Sequence, residues 1–387
     1  MRITIVQGAF LPVPPLLGGA VEKVWFSLGQ EFARRGHEVT QISRAFKDLP
    51  RREVIDGVSH LRISGFASPA TTSRRLLLDF WYALRVRSQL PPSDILVTNT
   101  FWLPALEFCR SRGRIYVHVA RYPKGQLWLY RHAILQTVSA PIQQAILAER
   151  RRAEKRVRVI AYPLPEHYLR PAVGEASQTV LYTGRLHPEK GIHLLIEAFA
   201  QIPPDERAGW KLQLVGPSEI ACGGGGETYL AGLRAAAAGL GKSVEFSGRV
   251  FDESRLIAHY NNARIFVYPS LAERGETFGL AVLEAMAAGC APLVSDLACF
   301  RDFIRAEVNG QVFNHRSADP VGTLAAALAA MMRDRESTER IRKAAWFTAR
   351  DFTLPKIASQ FLTDFAQLTG KNPFPGHPRL DRAEPLC

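Results

Sequence analysis

Two carboxylates, Glu276 and Glu284, stand eight residues apart in RGETFGLAVLEAMAAG, residues 274–289. That interval is a little over two helical turns, so a helix and its entry loop could bring both to one side. Upstream, TGRLHPEKG (183–191) places Arg185 and Lys190 in one loop that leads from an apolar run into a helical pattern. Two cations beside the backbone N–H groups of a helix entry suit a diphosphate. LLGGAVEK (16–23) adds a glycine pair, Gly18 and Gly19, where a backbone can approach a phosphate closely. It is not a GxGxxG fingerprint, and the acidic residue expected after the second strand is missing, which weakens a dinucleotide site. ERGETFGL (273–280) supplies a third loop-to-helix step, with N–H groups near Phe278 to Leu280 open to an anion. The plainer readings are a helix cap and a surface acid for the glutamates, and a surface position for Lys190. GGGG at 223–226 lacks the Lys-Ser/Thr of a P-loop and reads as a flexible loop.

These loops need strands and helices to hold them. β-branched runs alternate with helical patterns: ITIVQG (3–8), a helix over 20–36, HEVTQIS (37–43), DILVTNT (94–100) and RIYVHVA (114–120). The alternation restarts at TVLYTG (179–184) and continues through KLQLVG (211–216), SVEFSG (243–248), ARIFVYPS (263–270) and APLVSD (291–296). Strands alternating with helices predict parallel sheets covered on both faces. The reading is α/β, with two consecutive doubly wound domains. Proline and polar residues interrupt the pattern near AYPLPEHYLRPAVGEASQ, which places a linker between them. The expected boundaries are 1–163 for the first domain, 164–178 for the linker, 179–354 for the second domain, and 355–387 for a final helix and tail.

The chain of 387 residues is 47% hydrophobic and 22% charged, an ordinary globular composition and long enough for two cores. No run reaches the roughly 18 apolar residues of a membrane span. The start reads as a buried strand and not as a signal peptide. Five scattered cysteines fit a reducing compartment, and none has metal-ligand spacing. The expected location is therefore cytoplasmic. The net charge of +13 is uneven: residues 1–165 hold 25 Lys and Arg against 11 Asp and Glu, while the remainder holds 24 against 25. A basic half suggests a polyanion, an anionic membrane or an acidic substrate as partner.

Taken in order, PPLLGGAVEKVWFSLGQEFARRGHEV, YTGRLHPEKGIHLLIEAF, VEFSGRV and PSLAERGETFGLAVLEAMAAGCAPLVSD resemble the retaining glycosyltransferases of the GT-B fold, the family-four or group 1 type. The last segment has the family's E-x7-E pattern. The resemblance implies two Rossmann-like domains facing a cleft, with a C-terminal helix returning to the first. It implies transfer of a sugar from a nucleotide-sugar, UDP- or GDP-linked, to a saccharide or lipid-linked acceptor with retained configuration. It further implies no metal and no other cofactor. Arg185 and Lys190 would bind the donor diphosphate, Glu284 the ribose hydroxyls, and Glu276 would face the transferred sugar. The amides of Thr277, Phe278, Gly279 and Leu280 would complete those contacts. Gly18 and Gly19 would close over the phosphates, Val250 and Arg255 would line the nucleotide pocket, and His118 would sit near the donor sugar. By itself a strand histidine is more often a core residue. The chain departs from the family at NTFWLPALEF, which lacks a histidine often found there, and at VIAYPLPEHYL, where relatives carry Asn-Gly-Val-Asp. Both departures bear on the acceptor.

Two other readings stand beside this one. Another nucleotide-sugar enzyme, such as an epimerase, would need a Tyr-x-x-x-Lys pair and an early GxxGxxG, and neither is present. A basic nucleic-acid- or polyanion-binding protein would use the charge of the first half but leaves Arg185, Lys190, Glu276 and Glu284 unexplained; no nucleic-acid motif is present. Residues 74–87 combine Arg74, Arg75, Arg85 and Arg87 with Leu76, Leu77, Leu78, Phe80, Trp81 and Leu84. As a helix this stretch either lies on an anionic membrane or packs its apolar face on the sheet.

Overall fold

The structure, a computed structural model, describes residues 1–17, 19–69, 71–170, 173–250 and 252–373. The chain forms two compact units, residues 1–163 with 354–387, and residues 164–353. In the first unit the strands are β1 (Arg2–Val6), β2 (Glu38–Arg44), β3 (Arg52–Ile55), β4 (Val58–Ile63), β5 (Ile95–Thr98), β6 (Arg114–Val119), β7 (Ile134–Thr137) and β8 (Val157–Val159). They lie in the order β3-β4-β2-β1-β5-β6-β7-β8, parallel except for the β3–β4 hairpin. Strand β5 is buried along its whole length, which is why its Ile95-Leu96-Val97 reads as an apolar run. The short strands β3, β7 and β8 escape the sequence pattern, because three or four residues are too few to show a period.

The helix Ala20–Arg34 buries Val24, Trp25, Leu28 and Phe32. The C-terminal helix Leu354–Thr369 covers that face with Phe361 and Phe365: Trp25 and Phe361 meet edge-on at 5.1 Å and Phe32 and Phe365 at 5.9 Å. The helix Thr72–Arg87 buries Asp79, Tyr82, Ala83 and Val86, while Leu77 (57%) and Trp81 (52%) stay exposed beside Arg74, Arg75, Arg85 and Arg87. It is thus a core helix on one face and an arginine-bordered apolar surface on the other. Among the described residues no helix is long and apolar enough to cross a membrane.

The second unit carries β9 (Thr179–Thr183), β10 (Lys211–Val215), β11 (Val244–Gly248), β12 (Ile265–Tyr268), β13 (Ala291–Ser295) and β14 (Gln311–Phe313). All are parallel, in the order β11-β10-β9-β12-β13-β14. Counted within the unit this is the doubly wound order 3-2-1-4-5-6, with its reversal between β9 and β12. Part of the stretch expected as a linker packs into this unit. Leu164 N–H donates to Phe352 O at 2.7 Å, Tyr168 is buried, and the Arg170 guanidinium reaches Asn261 O at 3.0 Å. Prolines break the regular pattern there, but the aromatic and arginine anchors still tie the backbone down.

Candidate active site

Ligands of an open parallel sheet gather at the carboxyl ends of strands where the order reverses. Here those ends are Thr183, leading into the 184–191 loop, and Tyr268, leading into the 269–279 loop. Lys190 is buried and donates from Nζ to Glu276 Oε2 at 2.6 Å, with side chains 8% and 12% exposed. The same oxygen accepts from the Tyr268 hydroxyl at 3.1 Å and from Ser270 Oγ at 3.5 Å. The Lys190 ammonium also lies 5.4 Å from the centre of the Tyr268 ring, which stacks on Tyr182 at 5.8 Å. Burial, and next the Glu276 charge, push both phenols well above their ordinary range, so each stays a donor.

Gly191 makes this meeting possible. Its φ of +67° is left-handed, and a Cβ there would fall 2.1 Å from Pro269 O. Only a bare backbone lets the first loop lie against the second, where Leu271 N–H donates to Glu189 O at 2.8 Å. Arg185 is more exposed, and is held by Glu189 Oε1 at 2.8 Å and Gly223 O at 2.8 Å. That second partner corrects the reading of GGGG as a flexible loop. Gly225 N–H donates to Leu186 O and Gly226 N–H to Ser218 O, both at 2.8 Å, so the tetraglycine is built into the Arg185 loop.

Glu284 sits one turn inside the short helix Leu280–Ala287, separate from the Lys190 contact. Its Oε2 accepts from the Tyr260 hydroxyl at 3.0 Å, and that hydroxyl lies 2.6 Å from Thr183 Oγ1. Tyr260 has one proton, spent on Glu284, so Thr183 is the donor in the second bond. Gly279 caps the helix at φ +92°, with no side-chain cap hydrogen bond and no acid in the first turn, so no side chain of that turn offsets the helix's N-terminal partial charge. Phe278 is buried against Phe303 at 5.3 Å and anchors the loop, so only its backbone is available to a ligand. Thr277 is half-buried beside it. Glu273 ties the loop down from outside, to Arg316 at 2.6 Å and to His315 Nε2 at 2.9 Å. The Arg316 bond is the main reason its carboxyl sits below the usual range.

The other expected residues are placed less centrally. Val250 is half-buried in the loop after β11, and Arg255 is exposed in the first turn of the helix Glu253–Asn262, with its N–H on Asp252 at 3.3 Å. Among the described residues neither hydrogen-bonds to Arg185, Lys190, Glu276 or Glu284. In the first unit, Gly19 caps the helix Ala20–Arg34 at φ +99°, and Gly18 lies outside the described residues. His118 is buried, with Nδ1 2.5 Å from Gln136 Oε1 and Nε2 3.3 Å from the Tyr162 hydroxyl. The Gln136 amide nitrogen donates to Thr137 O and Ile160 O, so its oxygen accepts from His118 Nδ1–H. His118 Nε2 then accepts from Tyr162, and burial pulls the imidazole down to about 4. Among the described residues no three His, Cys, Asp or Glu side chains cluster as a metal site would.

Sequence reasoning missed Tyr182, Tyr260, Tyr268 and Ser270. The available signal was a tyrosine at or near the carboxyl end of an otherwise apolar strand, in VLYTG and FVYPS. A phenol there keeps its ring in the core and its hydroxyl at the ligand edge.

Residues 170–346 match the family model described as glycosyl transferases group 1. A phosphatidyl-myo-inositol mannosyltransferase of Mycobacterium leprae is 32% identical over 186 residues, 48% of this chain and 45% of that protein. The chain thus spans about half the length of the mycobacterial relatives it matches. An uncharacterized glycosyltransferase of Methanocaldococcus jannaschii is 26% identical over 356 residues, 80% of this chain and 84% of its own. Sucrose-phosphate synthase of Thermosynechococcus elongatus superposes with a TM-score of 0.78 at 21% identity, over 96% of this chain and 99% of its own. Anabaena HepE, solved with UDP and glucose, superposes at 0.70 and 19% identity, over 95% of this chain and all of its own (100%). These neighbours share the GT-B fold.

Proposed function

We propose, because residues 170–346 match the family model of the glycosyl transferases group 1, that the protein moves a sugar from a nucleoside-diphosphate sugar to a hydroxyl of a saccharide or lipid-linked acceptor. The observation that carries this reading is the Lys190–Glu276 contact at the β9–β12 reversal, with Arg185 in the same loop as Lys190. In the proposed reaction the acceptor oxygen bonds to the anomeric carbon as the bond from that carbon to the diphosphate breaks. The acceptor's proton passes to the departing phosphate oxygen on the same face, which retains configuration. Arg185, Lys190 and the N-terminus of the helix Leu280–Ala287 carry the charge that develops on the diphosphate, so a divalent metal is not required. Glu276 faces the sugar, and Glu284, oriented by Tyr260, holds the ribose. His118 is left out of this proposal because both ring nitrogens have partners in the core.

Calorimetry with UDP- and GDP-sugars tests the donor, and product stereochemistry by NMR tests retention. Activity that survives EDTA supports metal independence. Lys190→Ala and Glu284→Ala should each lower donor affinity or turnover at least ~10-fold, the value of one charge-assisted hydrogen bond. Near-wild-type kinetics in both variants would remove the site as described.

The exposed face of the helix Thr72–Arg87 supports a place on an anionic membrane, on the cytoplasmic side. Leu77 and Trp81 would enter the interface while Arg74, Arg75, Arg85 and Arg87 meet headgroups, at about 1 kcal/mol for each cation. Co-sedimentation with anionic vesicles that fades at high salt is the expected result; no binding at low salt ends this part of the reading.

A further inference from the structure

A pocket of about 360 Å³ opens in the first unit, lined by Ala45, Leu49, Arg51, Arg62, Ile63, Ser64, Arg85 and Gln89. Ala45 and Ser64 are the residues immediately after β2 and β4, so it lies at the carboxyl ends of two parallel strands. Arg85 comes from the helix Thr72–Arg87 and Gln89 from just beyond it. No acidic side chain lines the pocket.

The three arginines differ in what holds them. Arg62 is buried and its charge is met by Glu53, while its Nη1 donates to Pro50 O at 2.6 Å and its Nε to Val13 O at 3.2 Å. It is a fixed wall. Arg85 is exposed, donates once to Ser64 O at 3.0 Å, and lies over the Phe66 ring at 5.2 Å. Arg51 is exposed as well. Among the described residues neither Arg51 nor Arg85 makes an ion pair, so two guanidinium charges share one pocket without a carboxylate. The helix C-terminus nearby weighs against an anion, but it carries only roughly half a charge against two full ones.

We infer that this pocket binds a phosphate group, with Arg51 and Arg85 as its charged ligands and Gln89 and Ser64 as neutral donors. Planar guanidinium groups match phosphate oxygens in pairs, and a pocket of this volume holds a phosphate with part of the group that bears it. The phosphate belongs to the acceptor: a soluble phosphorylated saccharide or a phospholipid headgroup. The acceptor label rests on the glycosyltransferase reading; the phosphate site does not.

The test is the melting temperature of the full chain in inorganic phosphate, against chloride of matched ionic strength, for wild type and for R51Q/R85Q. Arg62 is left intact because its loss would strand Glu53. Phosphate should raise the wild-type melting temperature, and the double variant should bind phosphate at least ~10-fold more weakly while its UDP-induced shift is unchanged. An undiminished phosphate shift in R51Q/R85Q, or none in wild type, overturns the site. A missing UDP shift in both proteins would instead count against the donor reading and leave the phosphate result standing. Vesicles of equal parts phosphatidylcholine and phosphatidylglycerol separate the two sources, using R51Q alone because Arg51 lies outside the helix. Reduced vesicle capture by R51Q assigns the pocket to a lipid headgroup. Unchanged capture with weakened phosphate binding assigns it to a soluble phosphorylated acceptor.

Discussion

Lys190 and Glu276, 86 residues apart in the chain, meet at 2.6 Å with Tyr268 donating to the same carboxylate oxygen. The two form an ion pair with side chains only 8% and 12% exposed, so removing one leaves a nearly buried charge. Lys190→Ala should destabilise the second unit by about 2–3 kcal/mol, and adding Glu276→Gln should recover at least about 1 kcal/mol of that loss. Urea unfolding of the two single variants and the double variant measures the coupling. Strict additivity would show that the contact is absent in solution.

Gly191→Ala should be costly out of proportion to one methyl group. The left-handed φ costs about 1 kcal/mol, and the Pro269 carbonyl must also retreat from a Cβ placed 2.1 Å away. A fall in melting temperature of about 5–10 °C is expected. Gly239→Ala is the control, since a Cβ there meets nothing within 4 Å. Equal shifts for the two variants would refute the proposed role of Gly191.

Asp79 is buried on the helix Thr72–Arg87 and accepts from the N–H groups of Phe101 at 3.0 Å and Trp102 at 3.1 Å. Burial pushes its carboxyl up to about 6, despite those two bonds. A folded value above the unfolded one means that its contribution is full below pH ~4 and is lost as pH rises through about 6. Asp79→Asn keeps an oxygen for both donors and cannot ionise. The variant should match wild type near pH 4 and exceed it at pH 7 by up to about 3 kcal/mol. Denaturant titrations at the two pH values check this.

His118 runs the other way. Its imidazole is held down to about 4 by burial, so its contribution is full above pH ~6.5 and is lost as pH falls towards 4. Protonation at Nε2 would also end its acceptance from Tyr162. The destabilisation caused by His118→Gln should therefore be greater at pH 7.5 than at pH 5, by about 2 kcal/mol. A pH-independent difference would show that the ring is already charged or solvated in the folded protein.

Alternating apolar runs and helical patterns were enough to announce two parallel sheets, because periods of two and 3.6 residues are local properties of the backbone. For the same reason the loops holding Arg185, Lys190, Glu276 and Glu284 were legible, each as a strand end followed by a helix start. The β3–β4 hairpin was also written locally, in Asp56-Gly57, whose φ values of +48° and +79° suit a tight hairpin turn. The tertiary structure alone decided which of these loops meet. Strand order sets β9 beside β12, and only then do Lys190 and Tyr268 donate to one oxygen of Glu276, while Glu284 accepts instead from Tyr260. The same holds for Arg51 and Arg85: a turn and a helix that look like ordinary basic surface in the sequence become one pocket where β2 and β4 end. Contacts across such separations depend on the pairing of strands and the space between packed side chains, and neither is a periodic property of the chain.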